Sequence, residues 1–155
     1  MLSPLVSVVI PVWNGEKTLV RCLESIRQQT WPELEIFVVD DGSTDRTPAL
    51  LEELAAQDAR IRVIRQANAG VSEARNAALP LCRGKYIRFV DCDDTLPADS
   101  MATLVRKAED SGSDLVLAAY TEVVGPMHHV RALVKREDTV ALDEYLAILN
   151  RKANS

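Results

Sequence analysis

The segment Leu5–Val12, LVSVVIPV, is apolar almost without a break and rich in β-branched residues. A strand with one face in water alternates apolar and polar side chains, so a run like this demands cover on both faces. The same texture returns in LEIFVVDDGSTD, IRVIRQ, KYIRFVDCDDTLP and DLVLAAY. Between these runs the period lengthens to that of a helix. From Glu16 to Gln29, Leu19, Leu23 and Ile26 share one helical face, with Cys22 beside them. Thr47 and Pro48 supply an N-cap and a first-turn proline for a helix carrying Leu50, Leu51 and Leu54. NAGVSEARNAALPLC reads as a loop and a helix that Pro80 ends or kinks. A helix over about Pro97–Ser111 places Met101, Leu104, Val105 and Ala108 on its buried side. Strand and helix alternate through five strands. That predicts an α/β fold with a mostly parallel sheet and helices on both faces, in three α/β/α layers.

At 155 residues the chain is expected to form one domain that buries about two-thirds of its unfolded surface. Residues 1–120 carry the alternating pattern. Residues 121–155 show no clean period until LDEYLAILN, which reads as a short terminal helix. The apolar share of 47% suits a packed globule. A net charge of −5 with no basic run argues against nucleic acid as a partner, since its phosphates need a positive surface. A phosphorylated small molecule would need local positive charge, and a metal ion is one source. Cys22, Cys82 and Cys92 are scattered and form no CxxC pair, which argues for a reducing compartment and against a disulfide framework or zinc site. No apolar run reaches the ~20 residues of a membrane span. The apolar start, MLSPLVSVVIPVW, lacks a basic leader and a small-residue cleavage site. The expected setting is the cytoplasm.

In open parallel sheets, ligands sit beyond the carboxyl ends of the strands. Here the first strand ends in Pro11, Trp13 and Asn14, the second in Asp40, Asp41, Gly42 and Ser43, and the fourth in Asp91, Asp93 and Asp94. One aspartate at a strand end is commonly a structural cap. Two clusters beside a third polar turn point instead to a site. Asp91 and Asp93 would raise each other's pKa unless a cation compensated, and an oxygen-preferring divalent ion, Mg²⁺ or Mn²⁺, is the natural occupant. Asp94 is equally well explained as a solvated residue near a helix start. Cys92 stands between the two carboxylates, where strand alternation would turn it away from them.

The blocks VSVVIPVWNGEKTLVRCLESIRQQT, EIFVVDDGSTDRT, NAGVSEARNAAL and GKYIRFVDCDDTL resemble, in order and spacing, those of family 2 glycosyltransferases. The resemblance covers Val6 to about Tyr120. It implies a GT-A fold, a Rossmann-like nucleotide-binding half that takes a nucleotide-diphosphate sugar with a divalent metal. On that resemblance Pro11, Trp13 and Asn14 lie where the first strand approaches the nucleotide, with tryptophan replacing the usual tyrosine. Asp41, preceded by Asp40, matches the aspartate that accepts a hydrogen bond from uracil, and Arg75 matches a basic residue near the base and diphosphate. Asp91 matches the first carboxylate of the DxD motif, near ribose and metal, and Asp93 the principal metal ligand. A uracil imide N–H suits an acceptor ionised at neutral pH, as Asp41 would be.

Inverting members of the family make one in-line displacement at the anomeric carbon, and a base takes the acceptor's proton. That base usually lies well downstream of the DxD. Asp138, in REDT with Glu137, is the one candidate here; the other reading of REDT is a solvated loop entering the last helix. The expectation is therefore that 1–120 forms the nucleotide-sugar-binding core and 121–155 begins an acceptor half, for a sugar or lipid-linked acceptor, that continues in a longer enzyme. Peripheral contact with the inner face of a membrane would come through such further segments, because no basic amphipathic helix is present in the sequence. The alternative is a nucleotide-sugar-binding module without transfer activity. A receiver domain fits poorly, although VVDDG resembles its acidic pair, because that pair should follow the first strand and a lysine the fifth. A nucleotidyltransferase would need a Gly-rich, basic first loop in place of PVWNGE. His128 and His129 are adjacent with no third ligand evident, and read as a loop pair. Trp31 should anchor the turn after the first helix.

Overall fold

Strands β1 (Val6–Val12) and β2 (Leu34–Asp41) are buried along their whole length, as their unbroken apolar runs require. The computed structural model of the chain describes residues 3–124 and 127–131. With β3 (Ile61–Gln66) and β4 (Tyr86–Phe89), they form a four-stranded parallel sheet of order β3-β2-β1-β4. Register is continuous across the sheet. Val9 pairs with Phe37 on one side and Phe89 on the other, and Phe37 pairs in turn with Arg62. β3 and β4 alternate in burial, and Ile87 and Phe89 of β4 remain about half exposed. Full two-sided cover is thus confined to the two central strands.

The helices complete the layers. α3 (Val71–Ala78) packs on the face carrying Val9, Phe37 and Val39, where Ala74 and Ala78 allow a close approach. α2 (Thr47–Gln57) lies on the opposite face. There Arg65, paired across the sheet with Asp40, donates to the Pro48 carbonyl at 3.2 Å and the Glu52 carboxylate at 2.8 Å. α1 (Leu19–Arg27) packs beside α2 and buries Leu19, Cys22, Leu23 and Ile26. The α/β/α architecture expected from the sequence is therefore present.

At the amino end of β2, the buried Glu35 carboxylate accepts from Ser7 Oγ and from Arg83 N, both at 2.7 Å. Burial opposes its ionisation, but these bonds and the Arg83 guanidinium outweigh that and hold the carboxyl below its usual range. This clasp ties β1, β2 and the segment entering β4 at the end of the sheet opposite the polar strand ends. Trp31 is half-buried, and its indole N–H donates to the Pro4 carbonyl at 3.0 Å.

The chain divides into two compact units, Met1–Thr103 and Leu104–Ser155, and α4 (Ser100–Ser111) runs across the division. In the second unit β5 (Tyr120–Val124) pairs antiparallel with β6 (Met127–Arg131). The expected fifth strand over DLVLAAY does not form, since residues 114–119 carry no strand and pairing begins only at Tyr120. An apolar run becomes a strand only where a neighbour supplies its backbone partners, and residues 114–119 have none among the described residues. The terminal helix expected over LDEYLAILN lies outside the described residues. Thr47 is the first helical residue of α2 and does not act as its N-cap, because its hydroxyl is engaged elsewhere, by the amide of Gly15. Among the described residues no helix is long and apolar enough to cross a membrane.

Candidate functional site

The strand order turns back between β1 and β4, so their carboxyl ends flank the crevice where such sheets take ligands. The loops on this edge are laced together. Asn14, in the left-handed region at φ 51°, accepts from Thr44 N at 2.8 Å, and its own amide donates to Ser43 Oγ at 2.9 Å. Gly15 N donates to Thr47 Oγ1 at 2.8 Å. Asp45 accepts from Glu16 N with one oxygen and from Thr47 N with the other. Burial opposes ionisation of Asp45, yet its bonds from Thr47 and Glu16 outweigh that and lower its pKa. Asp40 is buried and closes the same loop by accepting Ser43 N at 3.0 Å. The side chains of Asn14 and Asp40 therefore serve loop geometry, which leaves Trp13 as the exposed group of this corner, at 57%.

Asp41 faces the α3 side of the sheet and is 4% exposed. One oxygen accepts from Gln66 Nε2 at 2.8 Å and Ala69 N at 2.9 Å, and the other from Gly70 N at 2.9 Å. Burial raises its pKa, but the three donors outweigh that and keep it low, so Asp41 is ionised at neutral pH. A carboxylate offers about four acceptor positions, so one remains on the oxygen that Gly70 occupies. Pro11, Trp13, Asp41 and Gly42 of the β1 and β2 ends, with Asn68 and Gly70 opposite, line a cleft of about 560 Å³, within the range of small-molecule sites. Gly42 is required there: its φ is +75°, and a Cβ would lie 2.7 Å from Asn68 N.

Beyond β4 the chain turns. Asp94 N donates to the Asp91 carbonyl at 3.0 Å, so Asp91–Asp94 is a reverse turn and not an extended strand end. Strand alternation therefore does not decide where Cys92 points. It is half-buried, with its sulfur next to the Gly15 backbone. Arg75 of α3 bonds the Asp91 carboxylate at 2.7 Å and lies over the Phe89 ring, 5.7 Å from its centroid. Arg75 Nε is buried without a partner. Burial, then the charges of Asp93 and Asp91, push the Asp94 carboxyl above its ordinary value against the Arg88 guanidinium.

The Asp91 and Asp93 side chains are exposed and present only oxygen, which fits a hard divalent cation. Among the described residues no three His, Cys, Asp or Glu side chains gather to hold a metal. Substrate oxygens and water would have to complete the shell, as is usual for Mg²⁺.

The structure thus gathers Pro11, Trp13 and Asp41 at one cleft and Arg75 with Asp91 at the switch point. Asp138 lies outside the described residues. His128 and His129, expected in a loop, instead stand exposed on β6, where pairing with Val123 and Glu122 of β5 makes the segment a strand. Asp45 and Gln66 escaped the sequence reading, although the GSTD spacing after the strand could have flagged Asp45 as a cap.

Comparison with known proteins follows the same lines. A family model described as Glycosyl transferase family 2 matches residues 7–140. The chain is 38% identical over 120 residues to glycosyltransferase GlyG of Streptococcus pneumoniae, covering 77% of this chain and 40% of GlyG. It is 48% identical over 98 residues to a chondroitin synthase of Escherichia coli, covering 63% and 14%. Among solved structures, S. aureus TarS 1–349 in complex with UDP-GlcNAc superposes with a TM-score of 0.67 at 32% identity, over 71% of this chain and 32% of that one. The mannosyltransferase PcManGT from Pyrobaculum calidifontis, in complex with GDP-Man and Mn²⁺, gives 0.66 at 28% identity, over 70% and 33%. The chain spans well under half the length of these proteins.

Proposed function

The chain belongs to glycosyl transferase family 2, and from that premise we propose that its crevice binds a nucleotide-diphosphate sugar, a UDP-sugar, for inverting transfer to an acceptor hydroxyl. The observation that carries this reading is the pairing of an apolar, aromatic-edged cleft beside Asp41 with a carboxylate–guanidinium cluster at the β1/β4 switch point. The first suits a base and the second a diphosphate. Solved relatives at 28–32% identity hold UDP-GlcNAc or GDP-Man, which supports the substrate class.

In this reading Trp13 stacks on the base against Pro11, and the remaining acceptor position of Asp41 takes the imide N–H. Arg75 turns its guanidinium from Asp91 to the diphosphate oxygens, whose bidentate geometry it fits. Asn14, Asp40 and Asp45 hold the two loops that carry these contacts, so the site is formed before the donor arrives. A divalent cation, Mn²⁺ or Mg²⁺, held by Asp93 and Asp91 would stabilise the charge that develops on the departing nucleoside diphosphate. The acceptor of this reading is a sugar or lipid-linked hydroxyl, and its deprotonation requires a base. Within this chain Asp138, which lies outside the described residues, is the candidate the sequence supplies for that role.

Trp13 provides the test. Titration with UDP in the presence of Mn²⁺ should quench its fluorescence saturably, and Trp13→Leu should abolish the quench and weaken binding. A flat fluorescence trace up to millimolar UDP would remove Trp13 from the site.

A further inference from the structure

The segment from Val90 to Asp99 carries both proposed metal ligands yet has almost no hydrogen bonds of its own. Within it only the Asp94–Asp91 turn is closed, with Ser100 N bonded back to the Pro97 carbonyl at its exit. A ten-residue stretch of that kind would ordinarily sample many conformations. Here it is gripped from outside, by one face of α1 and the residues just past its C-terminal end.

The grip has a regular layout. Arg21 Nη2 donates to the Asp93 carbonyl at 3.0 Å, and Cys22 Sγ to the Asp91 carbonyl at 3.5 Å. Ser25 Oγ accepts from Leu96 N at 3.1 Å while donating to the Cys22 carbonyl. Gln29 then takes both ends of the remainder. Its Nε2 donates to the Pro97 carbonyl at 2.7 Å and to the Ser25 carbonyl at 3.0 Å, and its Oε1 accepts Met101 N at 2.9 Å. Thr30 N closes the series on the Ala98 carbonyl at 2.8 Å. Arg21, Cys22 and Ser25 fall within about 100° of the circumference of α1 at 3.6 residues per turn, and Gln29 and Thr30 continue the grip just past its C-terminal end.

Gln29 is the centre of this arrangement. It is 8% exposed, and a buried primary amide is costly unless its donors and acceptor are satisfied. All three of its contacts are made to backbone, so the side chain specifies the path of the chain and not the identity of a neighbour. It also supplies a partner to Met101 N, one of the first amides of α4, which would otherwise lack one.

We infer that Gln29, assisted by Ser25, is a positioning residue that sets the Asp91–Asp93 turn in the geometry required for the metal and diphosphate. Gln29 touches neither ligand. Its action runs through the backbone of Pro97 and Met101 to the carboxylates several residues upstream, as residues outside the coordination shell commonly act on metal ligands. The inference rests on the donor-site reading above.

The test uses the 155-residue chain and two probes, UDP alone and UDP with Mn²⁺. Gln29→Met keeps the side-chain length and removes every bond. It should leave UDP affinity without metal within twofold of the wild type and reduce the Mn²⁺-dependent gain about tenfold. Ser25→Ala, which removes the Leu96 contact and the bond to the Cys22 carbonyl but leaves those of Gln29, should show a smaller loss of the same kind and carries the test if Gln29→Met does not fold. Exchange of the Leu96 and Met101 amides with deuterium should accelerate in the corresponding variants. Folded variants that keep the full Mn²⁺-dependent gain overturn the inference while leaving the donor site standing. A wild-type chain without Mn²⁺-enhanced UDP binding overturns both.

Discussion

The Arg75 guanidinium meets the Asp91 carboxylate at 2.7 Å while resting on the ring of Phe89. It thereby offsets a carboxylate that stands beside two others, and it does so from an element, α3, that also borders the cleft beside Asp41. The pair is partly exposed, 32% for Arg75 and 55% for Asp91, so it contributes under about 1 kcal/mol to stability. In the proposed function its contribution is to binding.

Arg75→Met should therefore leave the thermal midpoint nearly unchanged. UDP affinity should fall about 10- to 100-fold through loss of a charge-assisted bond worth ~1.5–3 kcal/mol. Binding of Mn²⁺ alone should tighten, because Asp91 is released. Thermal melts, UDP titration and Mn²⁺ titration by electron paramagnetic resonance read the three effects separately. Weaker Mn²⁺ binding in the variant would contradict the competition between guanidinium and metal.

Gly42→Ala places a side chain in the left-handed region and against the Asn68 backbone. The strained backbone alone costs about 1–3 kcal/mol, and the clash adds to it. Urea denaturation should show the midpoint falling accordingly, with UDP affinity lost in the folded fraction because Asn68 borders the cleft. An unchanged midpoint would mean that the turn is not closed as described.

Acid should loosen the opposite end of the sheet through Glu35. Its folded-state pKa lies below the unfolded value of about 4.3, so ionised Glu35 contributes stability that is fully present above that value. The contribution disappears as pH falls through the lower, folded pKa. Glu35→Gln should destabilise at pH 7 by about 1–3 kcal/mol and flatten the fall in urea midpoint below pH 4. Asp41, Asp45 and Asp58 also titrate low, so some slope should survive. A variant with the wild-type acid slope would remove Glu35 from the account.

The parallel sheet and the strand-end aspartates were legible because burial on both faces and the polar breaks are written locally in LVSVVIPV and LEIFVVDDG. What stayed hidden depends on partners distant in sequence. Thr47 looks like a cap until Gly15 N is seen to occupy its hydroxyl, 32 residues away. DLVLAAY looks like a strand, yet its residues 114–119 find no neighbouring strand among the described residues. Ser25 and Gln29 look like ordinary polar positions on an amphipathic helix, and only contacts across about 70 residues reveal their grip on the Asp91–Asp93 segment. Cys92 was judged by strand alternation, which fails once residues 91–94 turn.

The central claim is that the β1/β4 switch point holds a nucleoside diphosphate together with a metal. Calorimetric titration of UDP into the chain, with and without Mn²⁺, tests it most directly, with Asp93→Asn alongside. The account predicts binding that Mn²⁺ strengthens in the wild type and a loss of that strengthening in Asp93→Asn. No heat of binding under either condition, or an unaltered Mn²⁺ dependence in Asp93→Asn, would contradict it.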